Sequence, residues 1–392
     1  MRTKTGLTRR GFMANAALGA ASIGLKIPSS FAETGRLRSA EAAGLITEPL
    51  RLHRNESPYG LSPSAAEALK AAIDPKSSRY PIEEPKALEE AIAKRFGVEK
   101  DNVLLGCGSI EILKMATETF CNAGRPAVVA EPTFEAVVGF CPFIHARSVK
   151  INLNSEHKHD LPRMLRASRG AGMIFFCNPS NPAGTFIDKH ETERFVRGLP
   201  RGVVLLSDEA YGDYVDRTDY ESALRYVKEG LPVVVSRTFS KIYGMAGIRV
   251  GYAIGRRDLI KRMAARKLAN NPNQLATAAA LAALKNDGEF VNRVRKMNAE
   301  AREYVCNEVK AMGLAYIPSE ANFVMIGVAR PAKPLIEELK KRNVLVGRLF
   351  PSMPEHVRVS FGTMDEMKSF VKKFKEVMSA QFTAGSAPAR SR

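Results

Sequence analysis

Between residue 80 and about residue 285 the chain repeats one pattern. A short apolar run ends in a polar turn, and a stretch with the 3.6-residue period of an amphipathic helix follows. The runs are NVLLG (102–106), AVVAE (127–131), GMIFFC (172–177), VVLLS (203–207) and PVVVS (232–236), and SIEILKMATETF (109–120) reads as one of the helices between them. Continuous rather than alternating apolar character predicts strands buried on both faces, as in the parallel sheet of an α/β fold. An Ala-rich helix, QLATAAALAALKN (274–286), comes next, then a helix from Gly288 to about Met312. The last hundred residues change rhythm to strand, helix, strand, strand, helix, with NFVMIGV (322–328), VLVGRLF (344–350) and VRVSFG (357–362) as the strands, which predicts a smaller α+β domain. Upstream, a turn-rich stretch enters an amphipathic helix from Ser62.

These patterns divide the chain into an N-terminal segment over 1–32, an arm that joins the small domain over 33–79, a large domain over 80–285, a C-terminal small domain over 286–378 and a flexible tail over 379–392. The first segment carries Arg9 and Arg10, then Phe12, within an apolar run from Gly11 to Leu25, and a small-x-small site, Ser30-Phe31-Ala32. The run falls short of the roughly 20 residues that span a bilayer, so stable membrane insertion is not expected. The segment resembles a bacterial twin-arginine export signal. That resemblance implies a mature chain beginning near Glu33, carried folded to the periplasm, or a cytoplasmic protein if the signal is not used.

Composition changes this picture little. The chain is 45% apolar and 26% charged, within the range of folded globular proteins, and its formal net charge of +18 suits an anionic ligand. Nucleic acid is not the expected partner, because the basic residues are scattered and no aromatic-interleaved or zinc-finger pattern accompanies them. The five cysteines include no CxxC pair, so neither a zinc site nor a disulfide framework is indicated, and Cys107 and Cys177 read as small buried hydrophobes. The one histidine cluster, HKHD (157–160), follows INLNSE and reads as a solvated loop.

Chemistry concentrates where the apolar runs end, which is where open α/β sheets bind ligands. GCGSIE (106–111) is a glycine turn opening a helix, with free N–H groups for a phosphate. CNPSNPAG (177–184) presents Asn178 and Asn181, and DEAY places Asp208 and Tyr211 just past a strand. SRTFSKIYGMAGIRVGY (236–252) turns sharply around Lys241 and returns with Arg249. This set meets the needs of pyridoxal 5'-phosphate. Its aldehyde needs an amine, Lys241. Its ring nitrogen stays protonated beside a buried carboxylate, Asp208, and its ring oxygen needs donors, Asn181 and Tyr211. Its phosphate needs hydroxyls, amides and a fixed cation, supplied by Ser109, Thr238, Ser240 and Arg249 with the Gly108 turn.

NPSNPAG, SDEAY, SRTFSKIYGMAGIRVGY and VRVSFGT resemble the class I/II aminotransferases of fold type I. NESPYG, RYP and EANFVM resemble most the histidinol-phosphate aminotransferase branch, and the likeness covers roughly residues 48–378. The resemblance implies a ping-pong transaminase with small-molecule amino acid and 2-oxo acid substrates. It implies Lys241 as the catalytic amine, and the Ser109 and Ile110 amides with Thr238, Ser240 and Arg249 on the phosphate. It also implies Phe134 on the cofactor ring, Arg358 on the substrate's carboxylate or phosphate with Asn181 and Tyr80 beside it, and Tyr59 reaching a second subunit's cofactor, hence a homodimer.

Two departures stand out. Ile110 replaces the usual acidic residue of the glycine loop, and the branch's arginine after VLV is here Gly347, with Arg348 one step on. A one-residue shift along a strand turns a side chain to the other face, so Arg348 is expected to miss the site. A decarboxylase of the threonine-phosphate type and a non-catalytic binding protein on the same fold are the alternatives.

Overall fold

The computed structural model describes residues 49–73 and 77–384. The export signal expected over 1–32, the arm up to residue 48 and the last part of the tail, 385–392, lie outside the described residues. Twelve strands occur in the described chain: β1 (Leu50–Leu52), β2 (Val103–Gly106), β3 (Ala127–Glu131), β4 (Ser148–Asn152), β5 (Met173–Cys177), β6 (Val204–Asp208), β7 (Val233–Thr238), β8 (Gly251–Gly255), β9 (Tyr316–Ile317), β10 (Phe323–Gly327), β11 (Val344–Val346) and β12 (His356–Ser360).

Seven of them form the central sheet in the order β2-β8-β7-β6-β5-β3-β4. All of its pairings are parallel except those of β8, which runs antiparallel to both β7 and β2. The fold is therefore α/β with a mainly parallel sheet, as the apolar runs imply. Residues alternate between two cores across it. Leu105, Ile174, Phe176, Leu205, Val233 and Val235 enter one hydrophobic cluster, while Leu104, Met173, Phe175, Val204, Leu206 and Val234 enter the other. Burial of both faces is why these runs show no polar alternation.

β4 and β8 are not legible as strands. β4 lies at the sheet edge, where SVKIN is only partly buried, and GYAIG sits within a run whose glycines read as a turn. The HKHD reading also needs correction. His159 is buried, its ring packs on Phe176, and its Nε2 lies 2.9 Å from the carbonyl of Cys177.

A separate core gathers Leu50 and Leu52 with Val324, Ile326, Val357, Val359, Phe370 and Phe374. β1 pairs in parallel with β11, and β10 lies between β9 and β12 in an antiparallel sheet. The last helix, Met364–Ala384, runs six residues into the segment expected to be a flexible tail. The helix Pro63–Ile73 packs against the Ala-rich helix Gln274–Asn286.

Candidate active site

The polar ends of β2, β5, β6 and β7 meet β12 and the segment after β1 around a cavity of about 490 Å³, a volume ordinary for a small-molecule site. Ser109, Ile110, Phe134, Asn181, Asp208, Tyr211, Lys241 and Arg358 line it. Chain order separates these residues by up to about 250 positions; the sheet brings them together.

Asp208 is the last residue of β6, opposite Cys177 of β5, and it is 2% exposed. Its Oδ1 is buried with no hydrogen-bond partner, as a carboxylate awaiting a donor would be. Burial, with a smaller push from neighbouring Glu209, raises its pKa to about 7, and Lys241 opposes the rise. Glu209 itself is satisfied by Arg237 Nη2 at 2.7 Å, Ser222 Oγ at 2.6 Å and the Ala223 N–H at 2.7 Å.

Lys241 follows β7 by three residues. Its Nζ donates to the carbonyls of Asn55 at 3.0 Å and Arg54 at 3.3 Å, and it stands 5.7 Å from the centre of the Tyr211 ring. Burial first and Arg358 second lower its pKa to about 8. The Tyr211 hydroxyl accepts from Asn55 Nδ2 at 2.9 Å and Asn181 Nδ2 at 3.4 Å, which leaves its own proton for a third oxygen. Burial raises the Tyr211 pKa, so that proton stays in place.

Arg358, on β12, is 9% exposed and lies between the Phe323 and Phe350 rings at 5.5 and 5.3 Å. It donates to Asn181 Oδ1 at 2.7 Å and to the His53 carbonyl at 2.9 Å, while its buried Nε has no partner. Two of the three guanidinium nitrogens are thus engaged, and Nε is not.

Below this group the helix Ser109–Phe120 begins, with Gly108 as its first cap and no side chain capping it, so its leading N–H groups are free of a side-chain partner. Gly108 has φ of +72°, and a Cβ there would collide with Nη2 of Arg249 and come within 3.0 Å of its Cζ. The guanidinium therefore lies directly against the glycine turn. Arg249 Nη1 also donates to Ser240 Oγ at 3.3 Å, and the Ser240 N–H donates to Thr238 Oγ1 at 3.0 Å. Helix N–H groups, two hydroxyls and a guanidinium converge, which is the donor set a phosphate needs. With the unpartnered Asp208 oxygen, the residues present fit pyridoxal phosphate.

Thr238, Ser240 and Arg249, in this cradle, lie outside the cavity lining, and two further expected residues stand apart from both. Tyr80 is 75% exposed and lies outside the cavity lining. Tyr59 is half-buried against the large core, where burial pushes its pKa up to about 12, and it too lies outside the lining.

The expectation for Arg348 is overturned. β11 ends at Val346, so the pleat that would send residue 348 to the far face does not extend that far, and Arg348 lines the cavity. Gly347 fits here because a Cβ would come within 2.9 Å of the Arg358 Cβ and carbonyl oxygen. His53, Asn55, Thr133, Glu135 and Phe350 also line the cavity without having been singled out. Asn55 had a signal in NESPYG, but its bonds reach Tyr211 and Ser360, 156 and 305 residues away.

The fold and the site define an α/β enzyme built to hold a phosphorylated aldehyde cofactor between a lysine and a buried aspartate. The comparisons with known proteins agree. The family model "Aminotransferase class I and II" matches residues 47–374. The histidinol-phosphate aminotransferase of Moorella thermoacetica is 35% identical over 337 residues, 85% of this chain and 86% of its own. Histidinol-phosphate aminotransferase 2 of Carboxydothermus hydrogenoformans is 37% identical, again over 85% of this chain, and 92% of its own is covered. In fold, the crystal structure of histidinol-phosphate aminotransferase from Sinorhizobium meliloti in complex with pyridoxal-5'-phosphate superposes with a TM-score of 0.80 at 24% identity, covering 92% of this chain and 99% of its own. The chain belongs to the class I and II aminotransferase family; it is a pyridoxal-phosphate-dependent aminotransferase.

Proposed function

We propose that Lys241 is the catalytic amine of this aminotransferase, and that the donor is an amino acid, or a related amine, whose anionic group is held by Arg358. The observation that carries the assignment is the meeting of Lys241 with the unpartnered Oδ1 of Asp208 in one cavity beside the anion cradle of the Gly108 turn. When bound, the cofactor supplies an aldehyde that exchanges amines and a ring that draws electrons from the donor's α-carbon.

The chain's own residues do the rest. Asp208 pairs with the ring nitrogen, and the bond supplies the partner its Oδ1 lacks. Asn181 and the free Tyr211 proton hold the ring oxygen. The Ser109 and Ile110 amides, Thr238, Ser240 and Arg249 hold the phosphate, and Phe134 covers the ring. Lys241, with its pKa lowered to about 8, has an appreciable neutral fraction near pH 7 and serves as the base that takes the proton from the donor's α-carbon. Arg358 fixes the donor so that this C–H bond faces Lys241.

The relatives' names point to histidinol phosphate. Gly347 stands where that branch has an arginine, which favours a different donor here. The twin-arginine pattern of residues 1–32 supports export to the periplasm. The resemblance around Tyr59 supports a homodimer in which Tyr59 reaches the neighbouring subunit's site, consistent with its place outside the cavity lining of its own chain. The assignment of Lys241 is tested by Lys241→Ala. The variant is expected to lose turnover by many orders of magnitude and the visible absorption of the lysine-bound cofactor; turnover at the parent rate would remove Lys241 from the mechanism.

A further inference from the structure

Arg348 enters the cavity beside a residue that already occupies it. Its Nη2 pairs with the carboxylate of Glu135, and both side chains line the cavity while remaining about half exposed. Glu135 immediately precedes the short Ala136–Phe140 helix but makes no capping bond to it, so its carboxylate is committed to Arg348 rather than to the backbone. The guanidinium of Arg348 lies 4.3 Å from the centre of the Phe350 ring, and that of Arg358 lies 5.3 Å from the same centre. Phe350 is 3% exposed. One buried ring therefore lies against two arginines, the inner one buried and engaged, the outer one open to the cavity.

We propose that Arg348 is a second anion subsite of this cavity, that Glu135 is its resident gate, and that the pair tunes the enzyme for substrates carrying a carboxylate on the side chain. The proposal rests on the reading of Arg358 as the residue that holds the substrate's first anionic group. An ion pair between half-exposed groups contributes little. A distal carboxylate anchored through Arg358 can displace Glu135 and inherit its place. The exchange is one carboxylate for another, whereas a phosphate brings more negative charge against the same single guanidinium and the displaced Glu135. Neutral side chains gain nothing from Arg348, so the gate separates acidic from neutral substrates.

The experiment uses the cofactor-loaded enzyme and non-reacting ligands of equal length. Glutarate, pentanoate and 4-phosphonobutyrate are titrated by calorimetry into the unsubstituted protein, Arg348→Met and Glu135→Gln. Glutarate is expected to bind about tenfold to a hundredfold more tightly than pentanoate, the scale of one charge-assisted hydrogen-bonded contact. Arg348→Met should bring the two ligands to near-equal affinity. Glu135→Gln should tighten glutarate about two- to fivefold by removing the competitor. Opposite effects of the two variants cannot come from a general loss of folding. Equal binding of glutarate and pentanoate by the unsubstituted enzyme overturns the subsite, as does tighter binding of the phosphonate than of glutarate. Because binding is read without turnover, a protein that prefers glutarate yet transaminates no amino acid would overturn the catalytic reading and leave the subsite standing.

Discussion

Replacing Asp208 with asparagine should push stability and catalysis in opposite directions. In the cofactor-free protein Asp208 is buried with one oxygen unpartnered, and its pKa is about 7 against an ordinary 3.8. A pKa raised on folding means that the folded state holds the proton more tightly. The carboxyl therefore costs nothing below pH 4, costs progressively more between pH 4 and 7, and costs its full amount above pH 7. The shift, which already includes the attraction to Lys241, is worth at most about 4 kcal/mol, so a gain of about 2–4 kcal/mol is expected. For a chain of this size that corresponds to a melting temperature about 3–5 °C higher above pH 7, with no difference at pH 4. The same substitution takes away the partner of the ring nitrogen, and kcat should fall about 10²–10³-fold, the usual scale for one preorganised electrostatic partner. The assay is a series of melting curves of cofactor-free protein from pH 4 to 9, with steady-state kinetics on the loaded enzyme. An Asp208→Asn protein that melts lower than the parent at pH 8, or one that keeps parental kcat, would refute the reasoning.

Other consequences are read more simply. Gly108→Ala places a Cβ against Arg249 at φ of +72° and should weaken binding of the cofactor about tenfold to a hundredfold, measured by spectral titration, with little effect on the KM of the amino donor. Lys241 must be neutral to react, so combination of the cofactor-free protein with pyridoxal phosphate should accelerate as pH rises through about 8. Arg358→Met removes a cation that helps hold that value down, and should move the midpoint upward while raising the donor's KM. A midpoint that stays fixed would show that Arg358 does not act on Lys241.

The sequence alone determined the α/β class and the cofactor and marked most of the residues of the candidate site, and the reason is physical. Strands buried on both faces need unbroken apolar runs, so their polar ends stand out, and a cofactor that needs an amine, a buried acid and an anion cradle leaves Lys241, Asp208 and the Gly108 turn in recognisable places. The tertiary structure alone decided what depends on where strands stop and which distant segments meet. β11 ends at Val346, and so Arg348 faces the cavity instead of away from it. β1 pairs with β11, and so Asn55 brings its amide to Tyr211 and its carbonyl to Lys241 across about 150–190 residues. β8 turns back antiparallel beside β7 and β2, with Arg249 just ahead of it, lying against the turn where the helix Ser109–Phe120 begins. Alternation and composition are local properties, whereas register, strand ends and long-range partners are set by packing of the whole chain.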